Sequence, residues 1–116
     1  MITDPNKLID TLDKLPNKIR LQKLIVIKAD NEVEEKKLKY NVAFGMALIA
    51  ADKPNATEKK AKATIETEKE AEDLLASQYN CKKEESALKY LEDRFVSLRK
   101  ISSIEIELIK TNISGT

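Results

Sequence analysis

The sequence is short of the residues from which most active sites are built. Its 116 residues include no histidine, one cysteine, two glycines and three prolines. Histidine is the commonest general base and the commonest neutral metal ligand. Cys81 has no histidine to activate it, so we expect a packing residue rather than a nucleophile. We therefore expect a protein that is not an enzyme, that binds no metal and that holds no cofactor.

The scarcity of glycine and proline also bounds the fold class. An all-β protein needs turn residues about every ten positions, and this chain has too few of them. Charged residues make up 35% of the chain and aromatic residues only 4%, a composition typical of long helices and coiled coils. The expected fold class is all-α.

Neither sign of charge dominates, and long apolar runs are missing. The net charge is +1, from 21 basic and 20 acidic residues, so any affinity for nucleic acid must come from a local patch. No apolar run approaches the roughly 20 residues that span a bilayer, and the first residues lack the apolar core of a signal peptide. We expect no membrane partner and a cytoplasmic location.

Prolines and capping residues predict where the helices begin and end. Asp4 and Pro5 favour a helix start, and Pro16 favours a break, which predicts a short helix over residues 5–14 and a second over 16–51. A turn follows, and Thr57 is the expected cap of a third helix over residues 57–110. The prediction is a short N-terminal helix followed by a long antiparallel helical hairpin, coiled-coil-like, in one domain over residues 1–116.

Two features leave alternatives to this arrangement. A bend within residues 77–81 would divide the last helix and give a three-helix bundle instead. Residues 24–27 are rich in β-branched side chains, and residues 104–108 alternate as strands do. Both stretches lie inside longer helical patterns, so we expect them to be helical.

Small residues predict how the hairpin packs. With a turn at residues 52–57, facing positions have numbers that sum to about 109, which places Ala47 opposite Ala61. Gly45 inside a helix costs about 1 kcal/mol relative to alanine, so either a bend or a crowded neighbour is expected there, the neighbour lying within the hairpin or on another subunit. The expected hairpin-packing residues are Ala43, Gly45, Ala47, Ala51, Ala61 and Ile65.

The last helix carries an apolar stripe that is wider than one hairpin seam. A short N-terminal helix covers only part of such a stripe, and uncovered apolar surface usually marks an interface. We therefore expect a homo-oligomer. The expected interface residues are Leu88, Leu91, Phe95, Leu98, Ile101, Ile104 and Leu108.

Basic residues gather in two groups that are candidates for binding nucleic acid. Residues 1–29 hold six basic and three acidic side chains, and several copies in an oligomer would add avidity. The candidate nucleic-acid-binding residues are Lys14, Lys18, Arg20, Lys23, Lys59, Lys60 and Lys62.

The order of these features resembles the UvsY-like recombination mediators of phages. The resemblance covers about residues 30–110: a helix with an Ala-rich end, a turn, the segment Thr57-Glu58-Lys59-Lys60-Ala61, and a long helix with a Leu and aromatic stripe. It implies an oligomer in the cytoplasm of a bacterial host that binds single-stranded DNA. The implied protein partner is a recombinase or a single-strand-binding protein, and the implied role is to help load the recombinase.

Two further classes of function stay open. One is a small protein-binding inhibitor or adaptor from a phage or mobile element. The other is a structural coiled-coil subunit of a larger assembly.

Overall fold

A computed structural model describes residues 5–114 of the chain and the side chains of residues 6–111. Three helices follow one another: α1 spans Pro5–Ala50, α2 spans Ala56–Glu66 and α3 spans Glu68–Ser114. This confirms the expected all-α class and the helical hairpin, and residues 24–27 and 104–108 are helical as predicted. The predicted cap Asp4 lies outside the described residues.

Along the chain, the short helix α2 comes between the two long helices α1 and α3, and not at the N-terminus. α1 runs without interruption through Pro16, so the predicted separate helix over residues 5–14 is wrong. An interior proline removes one backbone hydrogen bond and costs ~3 kcal/mol. Burial of Leu8 and Leu15, together with the packing of Leu12, offsets that cost, while Pro16 itself faces solvent.

Asn55, rather than the predicted Thr57, caps α2. Its backbone is extended (φ −139°, ψ 166°) and its side-chain oxygen accepts a hydrogen bond from the Glu58 backbone N–H at 2.8 Å. The Lys59 backbone N–H donates to the Asn55 carbonyl at 3.1 Å. Asparagine is at least as good a cap as threonine, so the helix begins one residue earlier than the prediction based on Thr57.

Thr67 divides the predicted helix over residues 57–110 into α2 and α3. Its backbone leaves the helical region (φ −106°, ψ 18°). Its hydroxyl donates to the Ala63 carbonyl at 2.7 Å, and its own backbone N–H donates to the same oxygen at 3.0 Å. Hydroxyls bonded back to the preceding turn bend helices. The interruption therefore falls at Thr67, whereas residues 77–81, where the alternative placed a bend, are continuous α-helix.

Packing divides the chain into two compact units. The first unit comprises the described parts of Met1–Leu24 and Glu85–Thr116. Its helices meet in an apolar seam whose members recur at steps of three and four, as in a coiled coil. The buried core of this seam is Leu8, Leu15 and Leu98, and the partly buried side chains packed against it are Leu12, Leu91, Phe95 and Ile101.

The second unit, Ile25–Glu84, has a seam of a different kind. Its buried side chains are small or polar, which lets helices approach closely but buries little apolar area. The Cys81 thiol donates to the Asp30 carboxylate at 2.8 Å, and the Ser77 hydroxyl donates to the Leu74 carbonyl at 2.7 Å. The buried members are Ala29, Ala47, Ala51, Ala63, Thr67, Ser77 and Cys81.

Candidate interaction surfaces

The four predicted nucleic-acid-binding residues of α1 lie in the first unit and are exposed. The Lys14 ammonium lies 3.0 Å from the Asp10 carboxylate, and Arg20 donates to the Asn17 side-chain oxygen at 2.9 Å. On a helix, residues three or four apart are neighbours and residues two apart face away from each other. The structure therefore brings these side chains together as two pairs on different sides of α1, and not as one patch. The pairs are Lys14 with Lys18, and Arg20 with Lys23.

The basic residues of α2 belong to the second unit. Lys60 is exposed, while Lys59 and Lys62 are half-buried. The Lys62 ammonium lies 3.7 Å from the Glu66 carboxylate, so part of its charge is already compensated. The seven predicted nucleic-acid-binding residues thus fall into three separate small groups in two units.

Net charge is close to neutral in both units. The first unit contains ten basic and eight acidic residues, a net charge of +2, and the second contains eleven basic and twelve acidic residues, a net charge of −1. Neither unit has the strong positive field that attracts nucleic acid over a distance.

Most of the predicted oligomer interface is used inside the first unit. Leu91, Phe95, Leu98 and Ile101 belong to its core, and Leu88 is half-buried. The N-terminal part of α1 covers them. The spacing of the leucines in this part of α1 predicts that contact when the helix continues through Pro16. Of the predicted interface, Ile104 and Leu108 are the members that remain exposed.

Only some of the predicted hairpin-packing residues lie on the side of the helices that is buried within the hairpin. Ala47 and Ala51 are buried and Ala43 is half-buried. Ala61 and Ile65 face outward, and Ala63 and Thr67 are buried in their place. The predicted facing positions are therefore corrected: α2 turns Ala63, and not Ala61, inward.

Gly45 has no crowded neighbour within the chain. A side-chain carbon built at this position meets no atom within 4 Å. The predicted packing role of Gly45 inside the hairpin is therefore wrong, and the missing side chain leaves a gap on the surface of α1.

Large apolar side chains lie exposed on both units. Where such side chains adjoin one another, the apolar surface that they form is a candidate interaction site. In the first unit these side chains are Ile9, Leu21, Leu24, Tyr90, Val96, Ile104, Ile106, Leu108 and Ile109. In the second unit they are Ile25, Ile27, Leu38, Val42, Met46, Ile49, Ile65, Leu75 and Tyr79.

No protein-family model, curated protein or solved structure matches this chain. Across the part of the chain that the structure describes, no helix combines the length and the apolar character needed to cross a bilayer.

Proposed function

We propose that this protein is a non-enzymatic, self-associating helical accessory protein that binds single-stranded DNA in its assembled form. The observation that carries the proposal is the exposure of large apolar side chains on both units. Water is a poor environment for such side chains, and association removes them from it. Assistance in loading a recombinase is the role that the resemblance to UvsY-like mediators implies, and we include it in the proposal.

The basic pairs of α1 support DNA as the ligand of the assembly. Lys18 and Lys23 are exposed and, among the described residues, neither takes part in an ion pair within 4.0 Å. One copy offers few phosphate contacts, so its affinity is low. Several linked copies raise the effective concentration of basic side chains along one strand.

Fluorescence anisotropy with a labelled single-stranded oligonucleotide tests this proposal. The logarithm of the binding constant should fall linearly with the logarithm of salt concentration, by about 0.7 per phosphate contact. Changing Lys18, Arg20 and Lys23 together to alanine should weaken binding. The matched control changes Lys82, Lys83 and Lys89, three exposed lysines of α3, and should weaken it less. Absence of binding by the assembled protein at low salt would contradict the DNA function.

The near-neutral charge of both units favours a second candidate, an adaptor or structural subunit that binds other proteins. This candidate shares the exposed apolar surfaces and needs no basic patch. It predicts self-association that is unaffected by oligonucleotide, whereas the first candidate predicts that oligonucleotide adds to the mass of the assembly.

A further inference from the structure

The C-terminal end of α1 and the residue after it, residues 40–51, form an uncharged segment in a chain that is 35% charged. Its small side chains point toward the hairpin, where Ala47 and Ala51 are buried. Tyr40, Phe44 and Leu48 are half-buried, but three large side chains point away from the hairpin: Val42 is 52% exposed, Met46 66% and Ile49 88%. A helix that packs only within its own chain is expected to place polar residues, and not large apolar ones, on its outward side.

A second seam runs along this outward side. Leu38, Val42, Gly45 and Ile49 follow one another at steps of four, three and four, the spacing of a coiled-coil seam, and we call them the outer face of α1. Leu38 is 65% exposed. The open space at Gly45 is a hole in this face, next to the projecting Val42.

Gly45 has no explanation within one copy of the chain. Glycine in a helix costs about 1 kcal/mol relative to alanine, and its φ is not positive, so the backbone does not require it. An added Cβ would meet no atom of the described residues within 4 Å, apart from the adjoining residues and backbone of its own helix. A close neighbour from outside the chain accounts for glycine at this position.

We propose that the outer face of α1 binds the same face of a second copy, with the two helices antiparallel. The proposal rests on the self-association proposed above and names its contact surface. In this antiparallel arrangement, Leu38 of one copy lies opposite Ile49 of the other copy, and Val42 lies opposite Gly45. Each Val42 fills the hole left by Gly45 of the other copy, and each large side chain meets another large one.

Charge and area both favour a second copy as the occupant. The segment from residue 40 to residue 51 is uncharged, so two copies meet there without like-charge repulsion. At the exposed fractions given above, Leu38, Val42 and Ile49 of the outer face, together with the adjacent Met46, present roughly 500 Å² of apolar surface per copy, or about 1,000 Å² for the pair. This area lies at the lower limit for a specific complex, and the expected dimer is therefore weak and dependent on concentration.

Substitution of Gly45 by leucine is the first test, with sedimentation velocity of the full chain over a range of concentrations. Wild type should show a monomer–dimer equilibrium. Gly45→Leu should raise the dimer dissociation constant at least tenfold, because the hole is filled. The monomer should keep or gain helix content by circular dichroism, because leucine favours helices and has space here. The matched control Ala76→Leu, which adds the same side chain at another exposed helical position of the second unit, should leave the dissociation constant unchanged.

A reciprocal exchange tests the pairing itself. Val42→Gly and Gly45→Val should each weaken the dimer, the first by removing the projection and the second by filling the hole. The double variant places a valine opposite a glycine again, so it should dimerise more tightly than either single variant. Non-additivity of this kind is specific to residues in contact.

Two results would overturn the proposal. One is a dimer that Gly45→Leu leaves intact or a double variant no tighter than the single ones; the dimer contact is then elsewhere and self-association stands. The other is a wild-type chain that stays monomeric at every concentration, which assigns the face to a different partner. This second result also contradicts the self-association in the proposed function, whereas the first result leaves that function standing. Anisotropy on the same samples then measures whether the monomer alone binds DNA.

Discussion

Asn55 is the residue on which the start of α2 depends. Its side chain accepts the Glu58 backbone N–H, and its carbonyl accepts that of Lys59. Asn55→Ala removes the first of these bonds and should lower the free energy of unfolding by about 1 kcal/mol, within a range of ~0.5–2. Thermal and urea unfolding followed by circular dichroism measure the change.

Thr57→Ala is the matched control, because threonine was the cap favoured by the sequence. Among the described residues its hydroxyl makes no side-chain hydrogen bond, and the substitution should change stability by less than ~0.5 kcal/mol. A larger loss for Thr57→Ala than for Asn55→Ala would contradict the assignment of the cap.

Single residues also show which contacts the sequence could predict. Ala47 and Ala51 were predicted to pack in the hairpin, and both are buried. Ile65 is predicted beside them from the position of the turn and the spacing of apolar residues, yet it faces outward while Thr67 is buried. Hydrophobicity predicts burial where a seam accepts large side chains. Where two helices lie close together, side-chain size decides, and the sequence does not reveal that distance.

At the scale of elements, the main departure from prediction is the continuous α1. Sequence rules place a helix break at Pro16 because the proline ring and the missing N–H disfavour an interior position. They cannot weigh that local cost against the packing of Leu8, Leu12 and Leu15 on α3 in the folded unit. The same packing buries Leu98 and covers the side chains beside it, which are predicted from the sequence to form an interface between subunits. One wrong boundary therefore accounts for both errors.

Replacement of Pro16 by alanine tests whether α1 is continuous. Alanine restores a backbone donor and removes the ring, so Pro16→Ala should raise the free energy of unfolding by about 1–3 kcal/mol. Urea unfolding gives the difference, and the exposed neighbour Lys18→Ala serves as the control with an expected change below ~0.5 kcal/mol. If Pro16 instead stood at the first position of a second helix, proline would be favourable there. A loss of stability on substitution would therefore indicate two helices.

At the scale of the whole molecule, the two units place their apolar residues differently. The first unit buries leucines at its seam. The second buries mainly alanine and hydroxyl side chains, and the buried Oε2 atom of Glu70 has no hydrogen-bond partner among the described residues. A buried polar atom without a partner costs free energy, and small side chains bury little apolar area. The second unit is therefore held together by less apolar burial than the first.

The apolar residues left exposed on α3 lead to a prediction about assembly beyond a dimer. Ile104 and Leu108 are exposed, four residues apart and on one side of the helix. Changing both to aspartate should lower the mass measured by light scattering after size exclusion, because charges placed in an apolar interface lack partners. Helix content should remain, since neither side chain belongs to the buried core.

Leu98→Asp provides the contrast for this prediction. Leu98 lies in the core of the first unit with Leu8 and Leu15, so a charge there should unfold that unit, with loss of helix content at the same temperature. The pair of variants thus separates loss of assembly from loss of fold. If the double aspartate variant keeps the wild-type mass, Ile104 and Leu108 lie outside the assembly contacts. A loss of mass in that variant without loss of helix content places them within those contacts, as a second interface in addition to the outer face of α1.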